Sequence, residues 1–344
     1  YPVLLNGYAS RGTDLIDRAE QPLWARAIAV LNQQGQAHVL ISVENCGVPA
    51  LVTKRVVANL KEEYQVRPAG LVVCSTHTHA APMLTGVLPN IYTQDLSTAE
   101  QAVVKRYTSD LIQKLTTVAQ QAIKDVQPAF LEWGIGTATF AKNRRNISGP
   151  TDYDLPVLRV KSLKGKARAI LVGYACHCTT LGGVPFISGD WAGCAVEEIE
   201  ADIPGCMAMV VIGCGADQNP KFRGDDQGAA RVNGKAVAAG IQKRLKTGLT
   251  AVAGNLSAFS EEIKLPLATL PTEEEWKQRV GKPGITGYHA KKNLNRLERG
   301  EDLTDQVQYP IKTWSFGDDL AMVFLGGEVV VDYSLAIKQK HGAN

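Results

Sequence analysis

The sequence has few aromatic residues, 6% of its 344 positions, and a nearly balanced formal charge of +3. No basic run is longer than a pair such as Arg144-Arg145 or Lys291-Lys292. Nucleic-acid binding calls for a basic face interleaved with aromatics, and this chain offers neither. No apolar run approaches the roughly 20 residues a spanning helix needs, so no transmembrane segment is expected. No two cysteines stand in a Cys-x-x-Cys pair, and the seven at 46, 74, 176, 178, 194, 206 and 214 are an odd number, which argues against a thiolate zinc knot. Most are expected to be small buried hydrophobes, with one disulfide open if the protein is exported. The chain opens on Tyr1 rather than Met, the trace that a removed secretion signal leaves, and a secreted or periplasmic location is the expectation taken from it. Internal repeats and low-complexity tracts are missing too, and the oligomeric state is left open.

What is present is enough apolar residue, 45%, for a large core, and residues 1–344 are taken as one α/β domain. Residues 37–43, 70–74, 168–175, 207–212 and 320–325 form apolar strand-like runs, and 130–140 alternates as an exposed strand does. Helical spacing covers 52–64 and 98–126, the latter opened by the capping signature Ser97-Thr98-Ala99-Glu100. A charged helix is predicted from Pro271-Thr272-Glu273, and 270–306, the most polar stretch, is expected to be a surface excursion or lid. Several strands end in a polar residue or glycine, and ligands of open α/β sheets usually bind at that end.

Two of only six histidines stand in the run Cys74-Ser75-Thr76-His77-Thr78-His79, where the apolar stretch Gly70-Leu71-Val72-Val73 stops. Side chains two apart on an extended segment share a face, so a strand continuing to His79 would present both imidazoles to one cavity. His177 follows the run 168–175, and Glu328 follows 320–325. Neutral imidazoles and a carboxylate are what a hydrolytic zinc site uses, with three protein ligands and one open position. The same residues also suit buried, hydrogen-bonded structural roles.

The run Ser75-Thr76-His77-Thr78-His79-Ala80-Ala81-Pro82 resembles the Thr-His-Thr-His-Ser-Gly-Pro signature of the neutral/alkaline non-lysosomal ceramidases. These are zinc amidases that release the fatty acyl chain from sphingosine. Further landmarks follow in the family's order: Asn6-Gly7-Tyr8-Ala9 with Leu23-Trp24-Ala25-Arg26-Ala27, then Asn143-Arg144, Ala175-Cys176-His177-Cys178-Thr179-Thr180, Ile187-Ser188-Gly189-Asp190 and Gly327-Glu328. The resemblance implies a ceramidase catalytic-domain-like fold of mixed β-sheets flanked by helices. It implies Zn2+ held by His77, His177 and Glu328, with His79 and Arg144 lining the cleft against substrate or a developing oxyanion. Arg144 read alone also fits a surface charge. Asp190 either caps the helix opened by Trp191-Ala192-Gly193 or orients a ligand histidine.

Two departures separate the chain from the family. Where ceramidases carry Gly-Asp-Val-Ser-Pro, with the serine as nucleophile, this chain has Ala216-Asp217-Gln218-Asn219-Pro220. An amide side chain cannot be acylated as serine can, so metal-activated water becomes the expected nucleophile, with Asn219 stabilising the oxyanion and His79 or Asp217 moving the proton. The family's fourth ligand, a tyrosine beyond Gly-Glu, and its carboxyl-terminal β-domain have no counterpart before Asn344; Tyr333 stands too near Glu328 to match and is expected to pack on a short terminal helix. The expectation is a zinc-dependent amidohydrolase acting on a lipid or small-molecule N-acyl bond. The alternative is an inactive relative that binds lipid or glycan. Leu84, Val87, Leu88 and Ile91 are read as either an acyl-binding wall or core.

Overall fold

The computed structural model describes residues 1–342. A two-stranded ribbon of β1 (Val3–Leu4) and β2 (Leu15–Ile16) precedes a three-stranded sheet of β3 (Ala25–Leu31), β4 (Ala37–Val43) and β5 (Leu71–Ser75). β3 runs antiparallel and β5 parallel to the central β4. Successive strand side chains point to opposite faces, and the burial follows: Val39, Ile41 and Leu71 meet α1 (Ala50–Tyr64) and α2 (Thr98–Lys124), while Leu40 and Val72 turn the other way. The capping box read from the sequence closes the start of α2, with Ser97 and Glu100 exchanging hydrogen bonds.

The five-stranded sheet contains β6 (Ala129–Thr137), β8 (Asp154–Ser162), β9 (Ala167–Tyr174), β10 (Met207–Ile212) and β12 (Thr250–Val252), in the order β10-β9-β8-β6-β12. One of its faces, with Ile170, Val172 and Val210, packs on α3 (Asp190–Asp202) and α4 (Gln227–Lys246). Leu171 and Met209 point to the other face and join Leu40 and Val72 in an apolar layer shared by both sheets. The Ser42 hydroxyl donates to the Val210 carbonyl at 2.5 Å and ties the sheets together. A third sheet, β13 (Leu256–Pro266), β14 (Gln306–Phe316) and β15 (Leu320–Leu325), closes the shared layer with Trp314 and Phe316. A small ribbon pairs β7 (Ala141–Asn143) with β11 (Gln218–Pro220). Mixed sheets flanked by helices are thus the observed architecture.

The polar stretch 270–306 lies between β13 and β14 as two helices, α5 (Glu273–Val280) and α6 (Ile285–Glu298). Tyr288 and Lys292 of α6 both bond the Asp95 carboxylate, which fastens this excursion to the loop after the histidine motif. Of the two readings for that loop, wall or core, the packing favours core for most of it: Leu84 is buried, Val87 and Ile91 pack against buried clusters, and Leu88 is exposed. A last helix, α7 (Val331–His341), follows Glu328; Tyr333 on it is exposed rather than packed. All seven cysteines are free.

β5 runs parallel to β4, and β10 parallel to β9, so within each pair the carboxyl ends lie side by side. His77 follows β5, His177 follows β9, Asp217 follows β10, and Glu328 follows β15. The site stands where strands finish, as ligand sites of α/β sheets do.

Candidate metal centre

His77 and His79 come together by a route different from the extended one expected. β5 ends at Ser75, and His77 takes a left-handed backbone conformation at φ 61. That conformation is strained for a side chain with a Cβ, by on the order of 1–2 kcal/mol. Surrounding bonds hold it: Thr76 N–H donates to the Val43 carbonyl, His77 Nδ1 bonds the Cys46 carbonyl at 2.5 Å, and the Thr78 hydroxyl donates to the Ser188 carbonyl. The turn brings the His77 and His79 rings to 4.6 Å between centroids, with their Nε2 atoms 3.1 Å apart.

His177 is buried, and its backbone N–H donates to the Gln218 carbonyl. Its Nδ1 bonds the Gly215 carbonyl at 2.7 Å. Gly215 must be glycine, since a Cβ there would stand 2.7 Å from the Cys176 nitrogen. The ring lies 4.6 Å from that of His77. Glu328, on the turn opened by Gly327, closes the cluster: its Oε2 stands 3.3 Å from His177 Nε2 and 3.6 Å from His77 Nε2, with Arg144 Nη2 at 4.0 Å.

The donor chemistry fits a divalent cation. His77 and His177 each commit Nδ1–H to a backbone carbonyl, which orients both rings with Nε2 toward the Glu328 carboxylate. Burial, and then the neighbouring His177, hold the His77 ring below the ordinary imidazole range. His79 is pushed well below it by burial and then by the other two imidazoles. The His177 hydrogen bond holds the Glu328 carboxyl down to about 2 against the burial that raises it. Metal ligation requires neutral imidazoles and an ionised carboxylate, so a bound cation would displace any proton held between His177 Nε2 and Glu328. His77, His177 and Glu328 offer ligand atoms all within 4.8 Å of one another.

Asp217 and Asp190 stand near the cluster, each engaged by backbone N–H groups, and Asp190 accepts the Trp191 N–H as the helix-start reading of it has it. The Asp217 carboxylate accepts from the Val331 N–H at 2.9 Å and from Asn143 Nδ2 at 2.9 Å. With both oxygens engaged it anchors the start of α7, and the Ala216 N–H bond to the Val329 carbonyl fixes the same turn. Burial raises the Asp217 carboxyl, but these hydrogen bonds outweigh it and the net shift is downward. Asp217→Ala is expected to cost about 1–3 kcal/mol in urea unfolding, the penalty of an orphaned buried donor, and to loosen metal retention through Glu328; unchanged stability and metal content would remove this anchoring role. Asp190 opens α3 with φ 55 and accepts from the Thr180, Leu181 and Trp191 N–H groups. It orients the backbone after His177, and no imidazole meets it; the histidine tautomers are fixed by backbone carbonyls instead.

Asn219 lies on β11 with its Oδ1 buried and unpartnered. Sequence reasoning gave no role to Tyr8, whose ring meets the His79 ring edge-on at 5.0 Å. Nor did it find Gly7, whose φ of +96 and absent Cβ let the backbone lie against His79. The Asn6-Gly7-Tyr8 landmark was the available signal for both.

A family model described as neutral/alkaline non-lysosomal ceramidase, N-terminal, matches residues 2–239. No curated protein matches the chain. Among solved structures, the neutral ceramidase from Pseudomonas aeruginosa aligns with a TM-score of 0.74 at 17% identity, over 98% of this chain and 61% of that one. A structure described as a ceramidase complexed with C2 aligns at 0.73 and 16% identity, over 100% and 64%. At these identities the likeness establishes the fold, and the chain spans less than two thirds of either structure.

Proposed function

Because the chain belongs to the neutral/alkaline non-lysosomal ceramidase family, we propose that it is a zinc-dependent hydrolase of an N-acyl amide bond in a lipid or small-molecule substrate, exported from the cytoplasm. One observation carries this reading: Nε2 of His77, Nε2 of His177 and the Glu328 carboxylate converge. These three would hold the metal, which when bound supplies Lewis acidity toward a carbonyl and toward water. Arg144, beside Glu328, presents a fixed positive charge where an amide oxygen gains negative charge. His79, whose ring stands at the cluster's edge with Nε2 3.1 Å from His77 Nε2, is the residue placed to relay a proton to the leaving amine. Asn219 offers an amide in place of a serine hydroxyl, so no acyl-enzyme forms at that position.

The test is metal content together with fatty-acid release from an N-acyl amide. Zinc-loaded protein is expected to retain the ion through dialysis and to liberate acid; protein that keeps no divalent ion after loading would overturn the reading. Retained zinc without turnover on a broad N-acyl panel would favour a binding protein. Asn219→Ala is expected to lower kcat by about 10²-fold with the metal retained, and an unchanged kcat would take Asn219 out of the oxyanion site.

A further inference from the structure

Two guanidinium groups stand beside the metal centre with no carboxylate to neutralise them. Residues after His177 run alongside residues after Gln218: His177 N–H donates to the Gln218 carbonyl, Gly224 N–H donates to the Thr180 carbonyl, and Leu181 bridges Gly224. This track carries Arg223 a few residues beyond the ligand histidine. There its Nε donates to the Thr179 carbonyl at 2.9 Å and its Nη2 to the Tyr8 hydroxyl at 3.1 Å. The Tyr8 ring in turn meets His79 at 5.0 Å. Arg11 lies on the same tyrosine, its guanidinium carbon 5.4 Å from the ring centroid. Arg11 Nη1 donates to the Asn6 and His79 carbonyls, while its Nε and Nη2 are buried without a partner.

Among the described residues, neither Arg11 nor Arg223 makes an ion pair. The buried Asp190 carboxylate is engaged by three backbone N–H groups. Arg144 adds a third cation on the metal side, facing only Glu328. Arginines held in place by neutral acceptors keep their charge available, and forked N–H donors fit carboxylate or phosphate oxygens.

We propose that Arg223, held in place by the Thr179 carbonyl and the Tyr8 hydroxyl and backed by the charge of Arg11, binds an anionic group on the amine half of the substrate. The substrate class is then an N-acyl compound whose amine carries a carboxylate or a phosphate monoester a short distance from the amide. This rests on the hydrolase reading for its chemistry, but the recognition itself is measurable without turnover.

The experiment uses three matched ligands: N-dodecanoylglycine, its neutral carboxamide N-dodecanoylglycinamide, and N-dodecanoyl-aminoethyl phosphate. Each is titrated calorimetrically into zinc-loaded protein, and free fatty acid is followed separately. The wild type is expected to bind at least one anion about tenfold or more tightly than the carboxamide, with the preference shrinking as salt is raised. The tighter of the two anions identifies the head group. Arg223→Gln is expected to bring the preference to about one. Should that variant fold poorly through loss of the Thr179 bond, Arg223→Lys keeps the charge but loses the fork, and a reduced preference is expected there. Equal binding of anions and carboxamide by the wild type, or a full preference kept in the folded variants, would overturn the proposal. Turnover of all three at equal kcat/KM with no binding preference sinks anion recognition and leaves the hydrolase reading intact. A binding preference without acid release does the reverse.

Discussion

Replacing His177 with alanine is expected to abolish retention of a divalent metal and N-acyl amide hydrolysis while leaving the far-ultraviolet circular dichroism unchanged. The ring is buried, and its Nε2 is the cluster atom nearest the Glu328 carboxylate, at 3.3 Å. Removing an outer partner of a ligand typically costs 10–100-fold in metal affinity, and loss of one of three protein ligands exceeds that. The fold should survive because the backbone at this position carries the structural bonds: the Trp191 indole donates to the His177 carbonyl, and the His177 N–H donates to the Gln218 carbonyl. Neither involves the imidazole. Thermal denaturation separates the outcomes cleanly. Zinc at about 100 times its dissociation constant should stabilise the wild type by about 2.7 kcal/mol, and the same zinc should leave the melting temperature of His177→Ala unmoved. A variant that keeps its zinc and its activity would remove His177 from the ligand set and with it the reading of the cluster.

How much of this was legible in the sequence depends on the distance over which each signal acts. Strand and helix positions came from local periodicity, and 37–43, 98–126 and 207–212 correspond to β4, α2 and β10 with small shifts at the ends. Which strands share a sheet was not legible, since the pairing of β10 beside β9 joins segments with a helix between them. The histidine motif was legible as residues but not as geometry. Alternation along a strand suggested two rings on one face, whereas a left-handed turn at His77 after the strand ends does the work. Nothing local marks such a turn, because the bonds that stabilise it come from Cys46 and Ser188. Asp217 shows the same limit. Its neighbours in sequence suggested a chemical role, while its partners, Asn143 and Val331, lie far away along the chain and make it an anchor.

Gly7→Ala is expected to lower hydrolytic activity by about 10²-fold, the scale of a misplacement near 1 Å at a reacting group, with metal retained. The backbone at Gly7 has φ +96, and an added Cβ would stand 2.4 Å from His79 Cγ and 2.5 Å from its Nδ1. No contact of that length survives, so either the ring or the segment must move. The segment resists: Gly7 N–H donates to Asn6 Oδ1 at 2.7 Å, and Arg11 ties the Asn6 carbonyl to the His79 carbonyl. The His79 ring is therefore the part that yields, away from its 3.1 Å approach to His77 Nε2. Alanine in a left-handed conformation also costs about 1 kcal/mol or more, which a urea titration would read. The variant distinguishes two roles for His79 that the motif alone leaves merged. If His79 moves a proton and only His77, His177 and Glu328 bind metal, kcat falls while zinc content and the zinc-dependent shift in melting temperature stay at wild-type levels. If zinc is lost together with activity, His79 is itself a ligand and the three-residue assignment fails.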